Sequence, residues 1–428
     1  MKGKDNMKTK AVRLYGKNDL RLEEFELAPF NDDSVICEVV TDSLCMSSYK
    51  AVIQGADHMR VPDDVAENPT IVGHEFCGRI VHVGKNWAHK YKVGDGYVIQ
   101  PAHMYEGSMQ APGYSYRECG GNATYVSIPW ENLVMDCLIP YDSDVYYMGA
   151  LTEPYSCVIA TFHAMYHTRD NEYIHDMGIV EGGNLALLAS VGPMGLAAID
   201  YALHCDRRPK LMVVTDIDED RLQRAASIFT VEHAREQGIE LHYINTRNIK
   251  DPAAELRKLT KDDHGFDDVI CFAPVRQVVE QGDAILAVDG CFNFFAGPSD
   301  RSFSAMFNFY NVHYKRTHVA ATSHGNNDDM REAIQMMNEG KLNPAAMITH
   351  IGGLDCAAEA TMNLPNIPGG KKLIYPHLSM PLTAIDEFEE KGKTDPMFKE
   401  LHEIVQRNNG LWNAEAEKLL LEKGKRID

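Results

Sequence analysis

The stretch from Leu185 to Asp216 constrains the fold more than any other part of this 428-residue chain. An apolar run, Leu185 to Ala189, reads as a buried strand and is followed by the tight turn Ser190-Val191-Gly192-Pro193-Met194-Gly195. A helical segment then runs from Leu196 to Cys205, and a second apolar run from Leu211 to Val214 ends on Thr215 and Asp216. Strand, glycine turn, helix, strand and acid in this order form the layout of a dinucleotide site. Gly192 lets the backbone approach a pyrophosphate, Gly195 lets helix and strand pack closely, and the helix N-terminus presents N–H groups to the phosphates. Asp216, 21 residues beyond Gly195, is placed to take the ribose hydroxyls. Ser190 stands where the first glycine of G-x-G-x-x-G belongs, and a plain strand-to-helix turn is the simpler reading of the motif alone.

Composition narrows the class. The chain is long enough for two or three domains, and 44% hydrophobic with 24% charged residues is ordinary for a globular enzyme. No apolar run approaches the ~18 residues of a membrane span, and MKGKDNMKTK lacks the apolar core of a secretory signal. A net charge of −20 argues against nucleic acid as a partner and means that an anionic substrate needs local cations. The ten cysteines show no paired spacing and read as reduced thiols of a cytoplasmic protein.

The first ~150 residues are strand-rich, with strands at Ser34–Val40, Gly78–Gly84 and Tyr97–Gln100. From about Glu153 helices and strands alternate. Six strands (Leu185–Ser190, Leu211–Asp216, Leu241–Thr246, Asp268–Ala273, Cys291–Gly297, His318–Ser323) fit one doubly wound parallel sheet. Long loops are expected near Arg169–Gly182 and Val231–Gly238. Helices follow at Asn327–Glu339 and Leu354–Asn363, with a closing strand Lys371–Tyr375. The charged tail from Leu382 is helical, with Phe398, Leu401, Ile404 and Val405 on one face, which either docks on its own chain or meets another subunit.

Three stretches carry candidate metal ligands: Cys45 in Leu44-Cys45-Met46-Ser47, His74 and Glu75 after Gly73, and Glu153 before Pro154. Thiolate, imidazole and carboxylate suit a catalytic zinc with an open position. Each residue has a plainer reading: a packed thiol, a hydrogen-bonded turn, a charge at a helix N-terminus. His74 and Glu75 reach one metal together only if the backbone turns there, because neighbours on a strand face opposite sides. Cys45, Glu75 and Glu153 would together overbalance Zn²⁺, so one carboxylate is expected to yield to water or substrate.

Cys45-x-Ser47, Gly73-His74-Glu75 with Gly78, Val93-Gly94-Asp95, Glu153-Pro154 and Gly192-Pro193-Met194-Gly195, in this order, resemble the zinc-dependent medium-chain dehydrogenase/reductase family over roughly residues 8–376. The Cys-His-Glu set and Glu153-Pro154 resemble its sorbitol-type branch. The resemblance implies an α/β protein. A GroES-like β-rich catalytic domain (1–155) precedes an NAD-binding Rossmann domain (156–322), a return to the catalytic domain (323–376) and a helical extension (377–428). It also implies one catalytic zinc between the domains. Cys45, His74 and Glu75 are the implied ligands, Glu153 is a ligand or the partner of the zinc-bound water, and Ser47 is the proton-relay hydroxyl. Ser190, Gly192, Pro193, Met194 and Gly195 are the implied dinucleotide turn, and Asp216 favours NAD(H) over NADP.

Two departures stand out. Gln100 to Tyr125 holds only Cys119 where many relatives bind a structural zinc with four cysteines, so no structural zinc is expected. Lys50 occupies a position where alcohol dehydrogenases often have a relay histidine. Asn293–Pro298, Phe307–Tyr314 and the long tail resemble the group that reduces L-sorbose 1-phosphate. The expected activity is therefore NAD(H)-dependent interconversion of a ketose phosphate and a polyol phosphate in a homo-oligomer. Lys50, His58, Arg60 and Arg117 are the candidate phosphate-binding cations. A dehydrogenase of free polyols or other secondary alcohols, and a non-catalytic NAD-binding module, are the alternatives.

Overall fold

The computed structural model describes residues 7–427 and divides the chain into two units. One holds the residues up to Glu153 and those from Ile348 onward; the other is Pro154–Met347. Among the described residues no helix is long and apolar enough to cross a membrane.

The first unit is built on an eight-stranded sheet. The strand Val35–Ser43 lies at its centre and pairs antiparallel with Phe76–Val83 on one side and Lys371–Tyr375 on the other. Ile348–Gly353 then runs parallel to Lys371–Tyr375, while Gly96–Ile99 and Leu138–Pro140 extend the sheet beyond Phe76–Val83. Val35, Cys37 and Val39 are buried in one core cluster with Phe76, Ile80 and Cys119, as the alternation of apolar residues requires. Cys119 thus serves as a small core residue in the lobe between Gln100 and Tyr125.

The second unit carries six parallel strands. Their spatial order is Glu240–Asn245, Leu211–Asp216, Asn184–Leu188, Phe266–Cys271, Leu286–Phe294 and His318–Ala320. This is the doubly wound arrangement expected from the sequence, with its topological switch between Asn184–Leu188 and Phe266–Cys271. Two loops are more ordered than expected: Val231–Glu236 is a helix capped by the Thr230 side chain, and His175–Met177 pairs with Tyr166–Thr168 as a hairpin.

The return to the first unit falls at Ile348, not near residue 323. The helix Asn327–Asn338 stays with the second unit through Asp329, which bonds His163, and Glu332, which accepts from Tyr201. The helix Tyr146–Ala164 passes straight through Glu153 and Pro154, so Glu153 is a mid-helix residue and not an N-terminal one. The tail folds as helices Phe388–Lys391, Pro396–Arg407 and Ala414–Lys423 within the first unit. Its apolar face (Phe398, Leu401, Ile404, Val405) is buried within its own chain.

Candidate active site

Two turns of the first unit bring the site together. Cys45 is the N-cap of the helix Met46–Gln54, which follows the end of the central strand. His74 and Glu75 lie just before the strand Phe76–Val83. Gly73 has φ +94°, and a Cβ there would stand 2.3 Å from the Asn122 amide and 2.6 Å from the Asp42 carboxylate, so only glycine allows this turn. Asp42 stabilises it from behind: one oxygen accepts the Glu75 backbone N–H at 3.2 Å, the other the Asn122 amide at 2.7 Å. The backbone therefore turns between His74 and Glu75, and their donor atoms lie with the Cys45 sulfur within 4.8 Å of one another.

Hydrogen bonds orient each candidate ligand. The Ser48 hydroxyl meets His74 Nδ1 at 3.1 Å, which turns Nε2 toward Ser47 (3.3 Å) and Tyr114 (3.4 Å). Ser47 Oγ is 3.0 Å from Cys45 Sγ and accepts the Tyr114 hydroxyl at 3.0 Å. Lys371 donates to both oxygens of Glu75 at 2.5 Å, and both side chains are almost fully buried. Burial opposes the charge on Lys371, but Glu75, Cys45 and Glu153 outweigh it and raise its pKa. Burial holds His74 below the usual imidazole range, which keeps the ring neutral as a ligand must be. Burial pushes the Cys45 thiol up, with Glu75 acting in the same direction; a bound dication inverts that balance.

Glu153 stands outside the Cys45–His74–Glu75 cluster, but the charges of His74, Glu75, Cys45 and Lys371 act on it. Burial pushes its pKa up to about 7. The donor set fits zinc: one soft thiolate, one neutral imidazole and one carboxylate that keeps lone pairs beyond those given to Lys371. Lys371 also resolves the excess of negative charge apparent in the sequence. A lysine at the head of the apolar strand Lys371-Lys372-Leu373-Ile374-Tyr375 was the one signal for it. Nothing in the sequence marked Tyr114.

Two side chains of the following loop meet Tyr114. His58 stacks on its ring at 5.6 Å between centroids, and the Arg60 guanidinium sits 5.9 Å from the ring centre. Burial, then the charges of Arg60 and Lys50, hold His58 below its ordinary pKa. Arg60 also acts on His74. Arg117 is exposed.

In the second unit the turn is built as the motif demands, with one change. Ala189, at φ +53°, takes the left-handed position. Ser190 is buried, donates to the Leu187 carbonyl at 2.8 Å and needs no glycine. Gly195 is required: a Cβ would stand 2.0 Å from the Ser190 carbonyl oxygen. Gly192 caps the helix Pro193–His204, and the space where its Cβ would lie is open. Asp216 ends its strand, with one oxygen accepting the Ile217 and Asp218 N–H groups at 2.8 and 3.0 Å.

A zinc-ligand cluster in one unit and a dinucleotide turn on a doubly wound sheet in the other define a metal-dependent dehydrogenase. The chain matches the alcohol dehydrogenase GroES-like domain over residues 31–140 and the zinc-binding dehydrogenase domain over residues 193–339. It belongs to the zinc-dependent medium-chain dehydrogenase/reductase family and is an enzyme with one catalytic zinc site and NAD(H) as cofactors. It is 52% identical to the uncharacterized protein YggP of Escherichia coli over 97% of both chains. It is 50% identical to a mannitol-1-phosphate 5-dehydrogenase of Aliivibrio fischeri, again over 97% of both. An L-sorbose 1-phosphate reductase of Klebsiella pneumoniae is 46% identical over 96% of this chain and 97% of its own. The likeness to the L-sorbose 1-phosphate group is therefore not the strongest of the three. The crystal structure of 2R,3R-butanediol dehydrogenase from Bacillus subtilis superimposes with a TM-score of 0.67 at 21% identity, covering 99% of that chain but 86% of this one.

Proposed function

We propose that the enzyme interconverts a ketose phosphate and a polyol phosphate with NAD(H), and that Cys45, His74 and Glu75 hold its zinc. The carrying observation is the Arg60 guanidinium over the Tyr114 ring, with the Lys50 charge reaching His58 stacked on the same ring, while the Tyr114 hydroxyl touches Ser47 and His74. In a chain of net charge −20 such a group beside the metal ligands suits a phosphate dianion. The names of two relatives point the same way.

When bound, zinc supplies a Lewis acid that lowers the pKa of the substrate hydroxyl. Ser47, held by the Tyr114 hydroxyl, would relay that proton, taking it at Oγ while passing its own hydroxyl proton on toward solvent, and bound NAD⁺ would supply the hydride acceptor. Glu153, whose carboxyl burial raises to about 7, is the group beside the ligands that can hold or release a proton near neutral pH. In the reducing direction ketose, NADH and one proton give polyol and NAD⁺. Gly192 to Gly195 cradle the pyrophosphate, and Asp216 takes the ribose hydroxyls. The solvent-facing rings of Phe309, Tyr310 and Tyr314 support a homo-oligomer, and ten free cysteines support a cytoplasmic setting.

The test compares L-sorbose 1-phosphate with L-sorbose using NADH, and mannitol 1-phosphate with mannitol using NAD⁺. One charged contact to phosphate is worth roughly 10- to 100-fold in kcat/KM, so a phosphorylated substrate should lead by at least that factor. Lys50→Met should raise its KM and shrink the lead. Equal kcat/KM for free and phosphorylated sugars would reassign the enzyme to free polyols.

A further inference from the structure

We propose that Glu417, in the C-terminal segment, is a positioning residue for the catalytic centre: it ties the helix that carries Glu153 to the strand that carries Lys371. The inference rests on the assignment of Glu153 and Lys371 to the zinc site made above.

The first N–H groups of a helix have no partner within it. In the helix Tyr146–Ala164 the Glu417 carboxyl fills this role from far along the chain. Tyr146 N–H donates to one of its oxygens and Tyr147 N–H to the other, both at 2.7 Å. The second oxygen also accepts the Tyr375 hydroxyl at 2.9 Å, and Trp412 Nε1–H donates to that hydroxyl at 3.1 Å. Glu417, Tyr375 and Trp412 are all buried to within 1%. No lysine, arginine or histidine among the described residues forms an ion pair with Glu417.

Each arm leads to the zinc site. Glu153 lies seven residues beyond Tyr146, two helical turns or about 10 Å along the same face. Tyr375 and Lys371 share one face of their strand, four residues apart. A third tie runs from the strand following Glu75, where the Cys77 thiol donates to the Tyr146 carbonyl at 2.9 Å. Glu417 thus meets the helix and the strand at one carboxyl group.

A buried carboxyl is a costly way to cap a helix, since a local Ser or Asp at the N-cap does the same in contact with water. A local cap, however, restrains only its own helix. A carboxyl arriving from the tail fixes helix and strand relative to each other, and a misplacement of about 1 Å at a reacting centre costs on the order of 100-fold in rate.

The experiment uses the full-length zinc enzyme and its cobalt-substituted form. Glu417→Gln keeps the shape but sets an NH₂, which unlike either carboxyl oxygen cannot accept, against a backbone N–H, and Tyr375→Phe removes the third hydrogen bond together with the acceptor of the Trp412 N–H. In folded protein, both should lower kcat per bound metal, Glu417→Gln by about tenfold or more and Tyr375→Phe by less. Both should leave the KM for NADH within about twofold and shift the visible d–d bands of the cobalt enzyme. A fall in melting temperature with unchanged kcat per metal and an unchanged cobalt spectrum would reduce Glu417 to a structural cap and overturn the proposal. Glu153→Gln is the control. Full activity in that variant removes Glu153 from the site, whereas loss there with normal Glu417→Gln kinetics removes only the brace.

Discussion

Glu75 gives both carboxylate oxygens to Lys371, so a buried cation already faces the carboxylate proposed as a metal ligand. Lys371→Met leaves that carboxylate without a counter-charge, and breaking such a buried pair costs about 3–5 kcal/mol. The loss should be largest in zinc-free protein, because bound zinc restores a positive charge beside Glu75. Urea unfolding with and without zinc measures the difference; equal losses in both forms would separate Glu75 from the metal. Cys45→Ser and His74→Ala should lower zinc content and abolish turnover while NADH still quenches fluorescence, since the dinucleotide turn belongs to the other unit. Full turnover in either variant would show that another set binds the metal. Cys45, His74 and Glu75 were legible in the sequence because residue type and order carry metal chemistry. Lys371 and Tyr114 were not, because each reaches the cluster only through pairing or looping across long separations: Lys371 is 296 residues from Glu75.

At the scale of elements, the strand–turn–helix–strand run was readable to within about three residues. Leu211–Asp216 has its expected bounds, whereas the helix begins at Pro193, three residues before the expected Leu196, because a missing N–H costs nothing in the first turn. Local signals suffice there because the turn, the helix and both strands are contiguous. The helix Tyr146–Ala164 misled for the converse reason: Pro154 signals a start or a stop, yet the helix continues through it, held at its first turn by a tail residue. Gly195→Ala should cost a few kcal/mol, because the new methyl meets backbone that cannot move without shifting the strand. Asp216→Ser should narrow the preference for NADH over NADPH by about tenfold or more, as the repulsion of a 2′-phosphate is lost. Arg224 does not compensate, since its guanidinium donates to the Ala346 carbonyl at 2.9 Å, whereas Arg247 reaches the Ile217 carbonyl beside Asp216 at 2.8 Å and is the cation to watch. Steady-state kinetics with both cofactors decide the matter, and a wild-type preference for NADPH would overturn the role given to Asp216.

For the molecule as a whole, two units and their fold class followed from periodicity, but the closing of the first unit by its own tail did not. Amphipathic spacing showed that Phe398, Leu401, Ile404 and Val405 need cover without showing what covers them. Glu417, in the helix Ala414–Lys423, has no sequence signal that sets it apart from the other acids of the charged tail. Its burial has a consequence for stability. Burial pushes its pKa from the ordinary 4.5 up to about 8, against the opposing pull of the Tyr375 hydroxyl and the Tyr146 and Tyr147 N–H groups. The other titratable groups that share its field are Tyr147, Tyr375, Tyr141 and Cys77, and burial keeps all four neutral through this range. The folded chain therefore holds this proton more tightly than the unfolded chain does. The stability it contributes is fully present below about pH 4.5 and is lost as pH rises through about 8. Between pH 5.5 and 8.5 the melting temperature of the wild type should fall more steeply than that of Glu417→Gln, which has no proton to lose, and the two slopes should converge above pH 8.5. Parallel curves across the whole range would mean that Glu417 is already ionised in the folded enzyme, stabilised by the helix N-terminus alone.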